Sequence, residues 1–164
     1  MLNIVLLEPE MPANTGNIGR TCVAANTRLH LIEPLGFHIN DKMLKRAGLD
    51  YWPLLDVTVY DNYQDFLDRN PGAKVYMATT KAPKIYTEIQ FEPDCYIMFG
   101  KESAGIPEDI LLENQENCVR IPMTGEIRSL NLSNSVAIVL YEALRQNHFE
   151  NMNLQGHLTK YEWK

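Results

Sequence analysis

No apolar run in this chain approaches the ~20 residues that a bilayer-spanning helix needs. A secretory leader is also missing, because Asn3, Glu8 and Glu10 arrive at once and no basic segment precedes them. The chain is therefore expected in the cytoplasm, without a membrane partner. Cysteine is scarce: Cys22, Cys95 and Cys118 are odd in number, far apart and form no C-x-x-C pair. The four histidines show no metal-ligand spacing, so free buried thiols and no bound metal are expected.

Familiar nucleotide and hydrolase signatures are missing too. No G-x-G-x-x-G follows the first predicted strand, which removes the common dinucleotide site. Gly100 and Gly105 have P-loop glycine spacing, but Ile106 and Pro107 stand where Lys and Ser/Thr must be. No G-x-S-x-G elbow, internal repeat, low-complexity tract or linker occurs. Positive charge is in deficit, with net charge −6 and pI near 5.2. That argues against an extended nucleic-acid-binding face but leaves room for local patches. Lys42, Lys45 and Arg46 cluster, and Arg20, Lys101, Arg120 and Arg128 fall in or near loops.

What is present is an alternation of strands and helices. The 164 residues predict one domain over 1–164, burying roughly two-thirds of its unfolded surface. Strands are expected at 2–7, 29–32, 56–60 (near an edge), 74–79, 95–99 and 118–121, with a short extended piece at 86–91. Pro12 should keep its neighbours extended, so that Asn14 or Thr15 caps a first helix through Ile18, Cys22 and Ala25. Asn26 suits a left-handed helix end. A short helix is expected at 41–47, and Asp61 with Gln64 has capping-box spacing before another. Pro107 fits a first helical position. Leu132, Val136, Val139, Leu140, Ala143 and Leu144 recur at helical spacing, with Ser129, Asn131 and Ser133 around the helix start. Residues 148–164 show no period. The pattern specifies an α/β fold with a mostly parallel sheet.

Polar residues gather in three loops after strand ends: 12–20, 99–105 and 121–134. In a parallel sheet all carboxyl ends lie on one edge, so these loops can share a crevice. Each residue also has a plain structural reading. Gly100 and Gly105 could be turn residues, Asn14 and Ser133 caps, Glu102, Arg20 and Arg128 surface charges, and Met123 core. Their co-occurrence carries the case for a site.

Asn14–Arg20 (NTGNIGR), Phe99–Gly105 (FGKESAG) and Ile121–Ala137 (IPM followed by SLNLSNSVA) resemble the three motifs of the SPOUT methyltransferases. Within them the chain resembles the ribose 2′-O-methyltransferases, above all small members acting on the wobble nucleotide of leucine tRNAs. Glu8-Pro9-Glu10, Leu31 to Phe37 and Lys45 to Tyr51 add to that narrower match, which covers about residues 1–147. Two departures are Ala78, where a larger aliphatic residue is common, and Asn26, where glycine is frequent.

The resemblance implies helices on both faces of the sheet and a C-terminal trefoil knot, a rare exception to unknotted topology. It implies S-adenosylmethionine contacts at Ala78, Gly100, Ile121, Met123, Ser129 and Leu130, and functional positions at Asn14, Arg20, Glu102, Ser129 and Asn131. It also implies a homodimer binding a tRNA anticodon stem-loop. Lys42, Lys45, Arg46, Arg128 and Tyr141 are the candidates for RNA contact. Arg20 should orient the nucleotide and stabilise a developing alkoxide, since a guanidinium stays charged. Two rivals stay open: a same-fold enzyme acting on ribosomal RNA or another tRNA position, and a non-catalytic RNA- or cofactor-binding module.

Overall fold

A computed structural model of the chain describes residues 1–40, 42 and 49–164. In chain order the elements are β1 (Asn3–Leu7), α1 (Pro12–Ala24), β2 (Arg28–Ile32), β3 (Val57–Tyr60), α2 (Tyr63–Arg69), β4 (Val75–Ala78), β5 (Tyr96–Phe99), α3 (Glu108–Glu113), β6 (Cys118–Val119) and α4 (Leu132–Gln146). Short 3-10 turns lie at Trp52–Leu54, Tyr86–Glu88 and Gln115–Asn117. The expected helix at 41–47 lies outside the described residues, apart from Lys42, which is exposed.

Every strand pairing is parallel, and the six strands run in the order β3-β2-β1-β5-β4-β6. A strand covered on both faces must be apolar at nearly every position, and β1 is buried throughout. Its alternate residues feed two cores. Ile4 and Leu6 pack with Ile18 and Cys22 of α1 and with Val136, Val139, Leu140 and Ala143 of α4. Val5 and Leu7 face the other way, toward Phe66 of α2 and Leu111 of α3. Helices therefore cover both faces. Each such side chain, fully buried, contributes about 1.5–3 kcal/mol.

The second face also holds a polar chain. The ring of His30 accepts from the Tyr60 hydroxyl at Nδ1 (2.8 Å) and donates from Nε2 to Asn3 Oδ1 (2.9 Å). That tautomer follows from Asn3, whose amide nitrogen donates to the carbonyls of Met1, Asp94 and Cys95. Asn70 continues the chain, donating to the Tyr60 oxygen and accepting from the Tyr96 hydroxyl. Burial is the main reason the His30 pKa falls to about 4, leaving a neutral ring.

Several local expectations need correction. Pro12 does not hold the chain extended; it opens α1, where its missing N–H costs nothing. Met11 occupies the cap position without a side-chain bond to the helix backbone, and Asn14 and Thr15 lie inside the helix, buried. The cap of α2 is Asn62, which accepts from Asp65 N–H at 2.8 Å, while Asp65 accepts from Asp61 N–H at 3.0 Å. The expected box is thus displaced by one residue. Pro107 is the cap of α3 rather than its first helical residue. The expected extended piece at 86–91 begins as a 3-10 turn, and the last strand ends at Val119. Asn26 does adopt a left-handed backbone, with φ of 48°. Beyond α4, Phe149 and Met152 pack against the first core, and residues 153–164 carry no helix or strand.

Candidate active site

Register brings the three loops together. Leu6 pairs with Phe99, Ala78 pairs with Phe99, and Ala78 pairs with Val119. The residues after β1, β4, β5 and β6 consequently leave the sheet side by side at its carboxyl edge. Strand order reverses between β1 and β5, which is where open α/β sheets place ligands. A cavity of about 580 Å³ opens there. Its wall includes Ala78, Gly100, Ile121, Met123, Ser129 and Leu130, together with Asn14, Glu102, Asn131 and Arg128.

Glu102 organises this edge. One carboxylate oxygen accepts the Glu10 N–H at 2.8 Å; the other accepts the Met11 N–H at 3.1 Å and the Asn14 amide at 3.3 Å. The cap that α1 lacks in its own side chains is supplied by this loop after β5. Asn14, 5% exposed, accepts in turn from the Asn131 amide at 3.1 Å. Asn131 caps α4, accepting from the N–H groups of Ser133 (2.9 Å) and Asn134 (3.3 Å) and from the Ser133 hydroxyl. One continuous series, Glu102 to Asn14 to Asn131, ties all three loops. With both amides held at their far ends, their orientations are fixed rather than free to flip.

The loop after β5 is rigid for a steric reason. A Cβ on Gly100 would lie 2.0 Å from the Gly105 carbonyl carbon, and Gly105 itself adopts φ of +72°. Its N–H donates back to Lys101 C=O at 2.8 Å. Only glycine fits either position without strain.

Other predicted residues lie elsewhere. Arg20 is exposed on α1 and does not line the cavity; Tyr51 lies close enough for its guanidinium to be felt there. Tyr141 is exposed on α4, away from the cavity. Lys42 is exposed, and Lys45 and Arg46 lie outside the described residues. Sequence reasoning missed Thr79, Thr80 and Lys81 as wall residues. The signal was available, since they follow β4 at the same sheet edge; Lys81 is drawn toward Glu108 by an exposed ion pair of 3.0 Å. The cysteines are free and buried, and burial pushes the thiols of Cys22 and Cys95 up to about 12. No group of three or more His, Cys, Asp or Glu among the described residues is placed to hold a metal. No described helix is long and apolar enough to cross a membrane.

An all-parallel sheet with a cleft at the reversal point, bounded by three mutually tied loops that carry the three resembling motifs, fits an α/β methyltransferase of the SPOUT class. The chain belongs to the SpoU rRNA Methylase family, whose pattern matches residues 1–141. An Escherichia coli (strain K12) protein named tRNA (cytidine(34)-2′-O)-methyltransferase is 47% identical over 147 residues, covering 89% of this chain and 94% of its own. A solved structure described as "Structural insights into the 2-OH methylation of C/U34 on tRNA" superposes with a TM-score of 0.84 at 44% identity, over 90% of this chain and 97% of that one. An AdoMet-bound rRNA methyltransferase from Sinorhizobium meliloti aligns at 26% identity with a TM-score of 0.77, over 88% of this chain and 56% of its own.

Proposed function

We propose that this chain is an S-adenosylmethionine-dependent methyltransferase that modifies the 2′-hydroxyl of the wobble nucleotide, position 34, of leucine tRNAs. The observation that carries this reading is the Glu102–Asn14–Asn131 series, which fixes three loops around one cleft. The similarity to the E. coli enzyme and to the C/U34 structure supports the choice of substrate.

The cleft suits the methyl donor. Its volume of about 580 Å³ falls within the ~300–1,000 Å³ of small-molecule sites. Ile121, Met123, Leu130 and Ala78 supply an apolar slot for an adenine, and Gly100 leaves backbone exposed for close approach. Bound there, the donor supplies an electrophilic methyl carbon on a sulfonium. The protein's part is alignment, which is worth up to ~7–11 kcal/mol when reacting atoms are held in line. Asn131 and Ser129 stand at the cleft wall where a ribose would enter, with Asn131 held from behind by Asn14. Arg20 orients the nucleotide through phosphate and stabilises the developing alkoxide, while the ribose proton leaves to water or phosphate.

The same reading includes a single domain, a cytoplasmic location, a knotted C-terminal segment and a homodimer. Exposed Ile138 and Tyr141 on α4 favour the dimer. Lys42, Lys45, Arg46 and Arg128, from two subunits, are assigned to contact with the anticodon stem-loop, the positive charge it needs within an acidic protein.

Transfer of labelled methyl to total tRNA, followed by nucleoside mapping, tests the proposal. Label should appear as a 2′-O-methyl group at position 34 of leucine tRNAs. Label in ribosomal RNA or at another tRNA position would select the same-fold rival. No incorporation by folded, cofactor-bound protein would sink the enzyme reading.

A further inference from the structure

Glu10 lies outside the cleft wall, in the turn between β1 and α1. Its carboxylate accepts both the N–H (2.9 Å) and the hydroxyl (2.6 Å) of Ser103. Its own N–H donates to Glu102, the residue before Ser103 in the loop after β5. Two neighbouring segments thus exchange carboxylates: Glu102 holds the backbone of Glu10 and Met11, and Glu10 holds the backbone of Ser103. The Glu10 backbone is braced from behind by Gly36, where a Cβ would come within 2.4 Å of the Glu10 carbonyl oxygen. Gly36 N–H also donates to Pro9 C=O at 2.9 Å.

We propose that Glu10 is a positioning residue for methyl transfer, locking the 101–105 loop through Ser103 so that Glu102 can hold Asn14 in place. This rests on the methyltransferase reading above. The bonds to Ser103 keep the Glu10 carboxyl below the ordinary carboxylate range, so the clamp is charged at neutral pH. The glycine turn fixes the two ends of the loop, and the bond from Ser103 to Glu10 fixes its tip, so that Glu102 presents Asn14 to Asn131 in one geometry. Without the Glu10 side chain, the loop keeps its glycine turn and the bonds that Glu102 makes to α1, but loses its second anchor at Ser103. Alignment should then suffer more than cofactor binding, which draws mainly on Ala78 and on the 121–130 part of the wall.

Glu10→Ala and Ser103→Ala, singly and together, can be followed by hydrogen exchange over residues 100–106, by S-adenosylmethionine affinity and by single-turnover methylation. Exchange over 100–106 should rise in Glu10→Ala, and adding Ser103→Ala should raise it no further, the signature of one shared interaction. Turnover should fall by roughly 10–100-fold while cofactor affinity changes less than about threefold, as expected for misalignment. Glu10→Gln, which keeps the shape and one acceptor oxygen, should lie between. Unchanged protection in folded Glu10→Ala overturns the clamp. Lost protection with wild-type turnover overturns the positioning role. Exchange is read without RNA, so a wild type that methylates nothing would overturn the functional reading while the clamp stood.

Discussion

At Gly100 the cleft wall has no spare volume. A methyl group there would overlap the peptide that joins Gly105 to Ile106, at 2.0 and 2.2 Å. Gly100→Ala should therefore cost about 1–3 kcal/mol, the range for overpacked sites, and weaken cofactor binding with it. Urea unfolding and calorimetric titration check both; an unchanged midpoint with unchanged affinity would mean that the loop yields freely. Gly100 was legible in the sequence as a turn residue and, through the motif it belongs to, as a cofactor contact. Asn14 was legible only as a member of a motif, because its plainest local reading was a helix cap. Its partners lie 88 and 117 residues away, and no local spacing announces them. Glu10 was less visible still: a carboxylate near the N-terminus reads as a solvated charge until Ser103 is seen against it.

Among the elements, the central strands were read as apolar runs because both their faces are covered, and the long α4 from its period because one face is buried. The shortest strand was found but drawn too long: β6, expected at 118–121, has two residues and continues only as an isolated bridge between Arg120 and Ile85. The start of α1 was misplaced because its capping groups come from another loop. The β2–β3 edge carries a titration that sequence alone did not suggest. His30 has a folded pKa of about 4 against an ordinary 6.5, so between those values the unfolded chain binds the extra proton. The associated stability is complete above about pH 6.5 and is lost as pH falls toward 4, by about 2–3 kcal/mol. His30→Gln removes the titration and should flatten that limb, giving a smaller difference between unfolding free energies at pH 7 and pH 4.5. Equal slopes for both proteins would show that His30 does not control it.

For the whole molecule, alternation of strand and helix was enough to expect a parallel sheet, since a parallel crossover needs a helix between strands. Strand order was not legible, because both edges of a growing sheet accept the same apolar strand. The basic cluster at Lys45 and Arg46 keeps its expected RNA role as a proposal, outside the described residues. Association belongs to this scale too. α4 buries one face on α1 and the sheet and leaves Ile138 and Tyr141 exposed at 37% and 41%. Sedimentation should show a dimer at micromolar concentration, and Tyr141→Asp should move it toward monomer. A monomeric wild type would remove the two-subunit RNA patch.

The borrowed cap on α1 has a consequence for the order in which the molecule is completed during synthesis. The residues of α1 leave the ribosome long before Glu102 does, and until that carboxylate arrives the N–H groups of Glu10 and Met11 have only water to satisfy them. The helix can wind early, but its entrance stays frayed. It closes when β5 docks beside β1, and the cleft is complete only when Asn131 arrives after that. The beginning of the chain is thus finished by its middle, and a half-made protein has no half-made site.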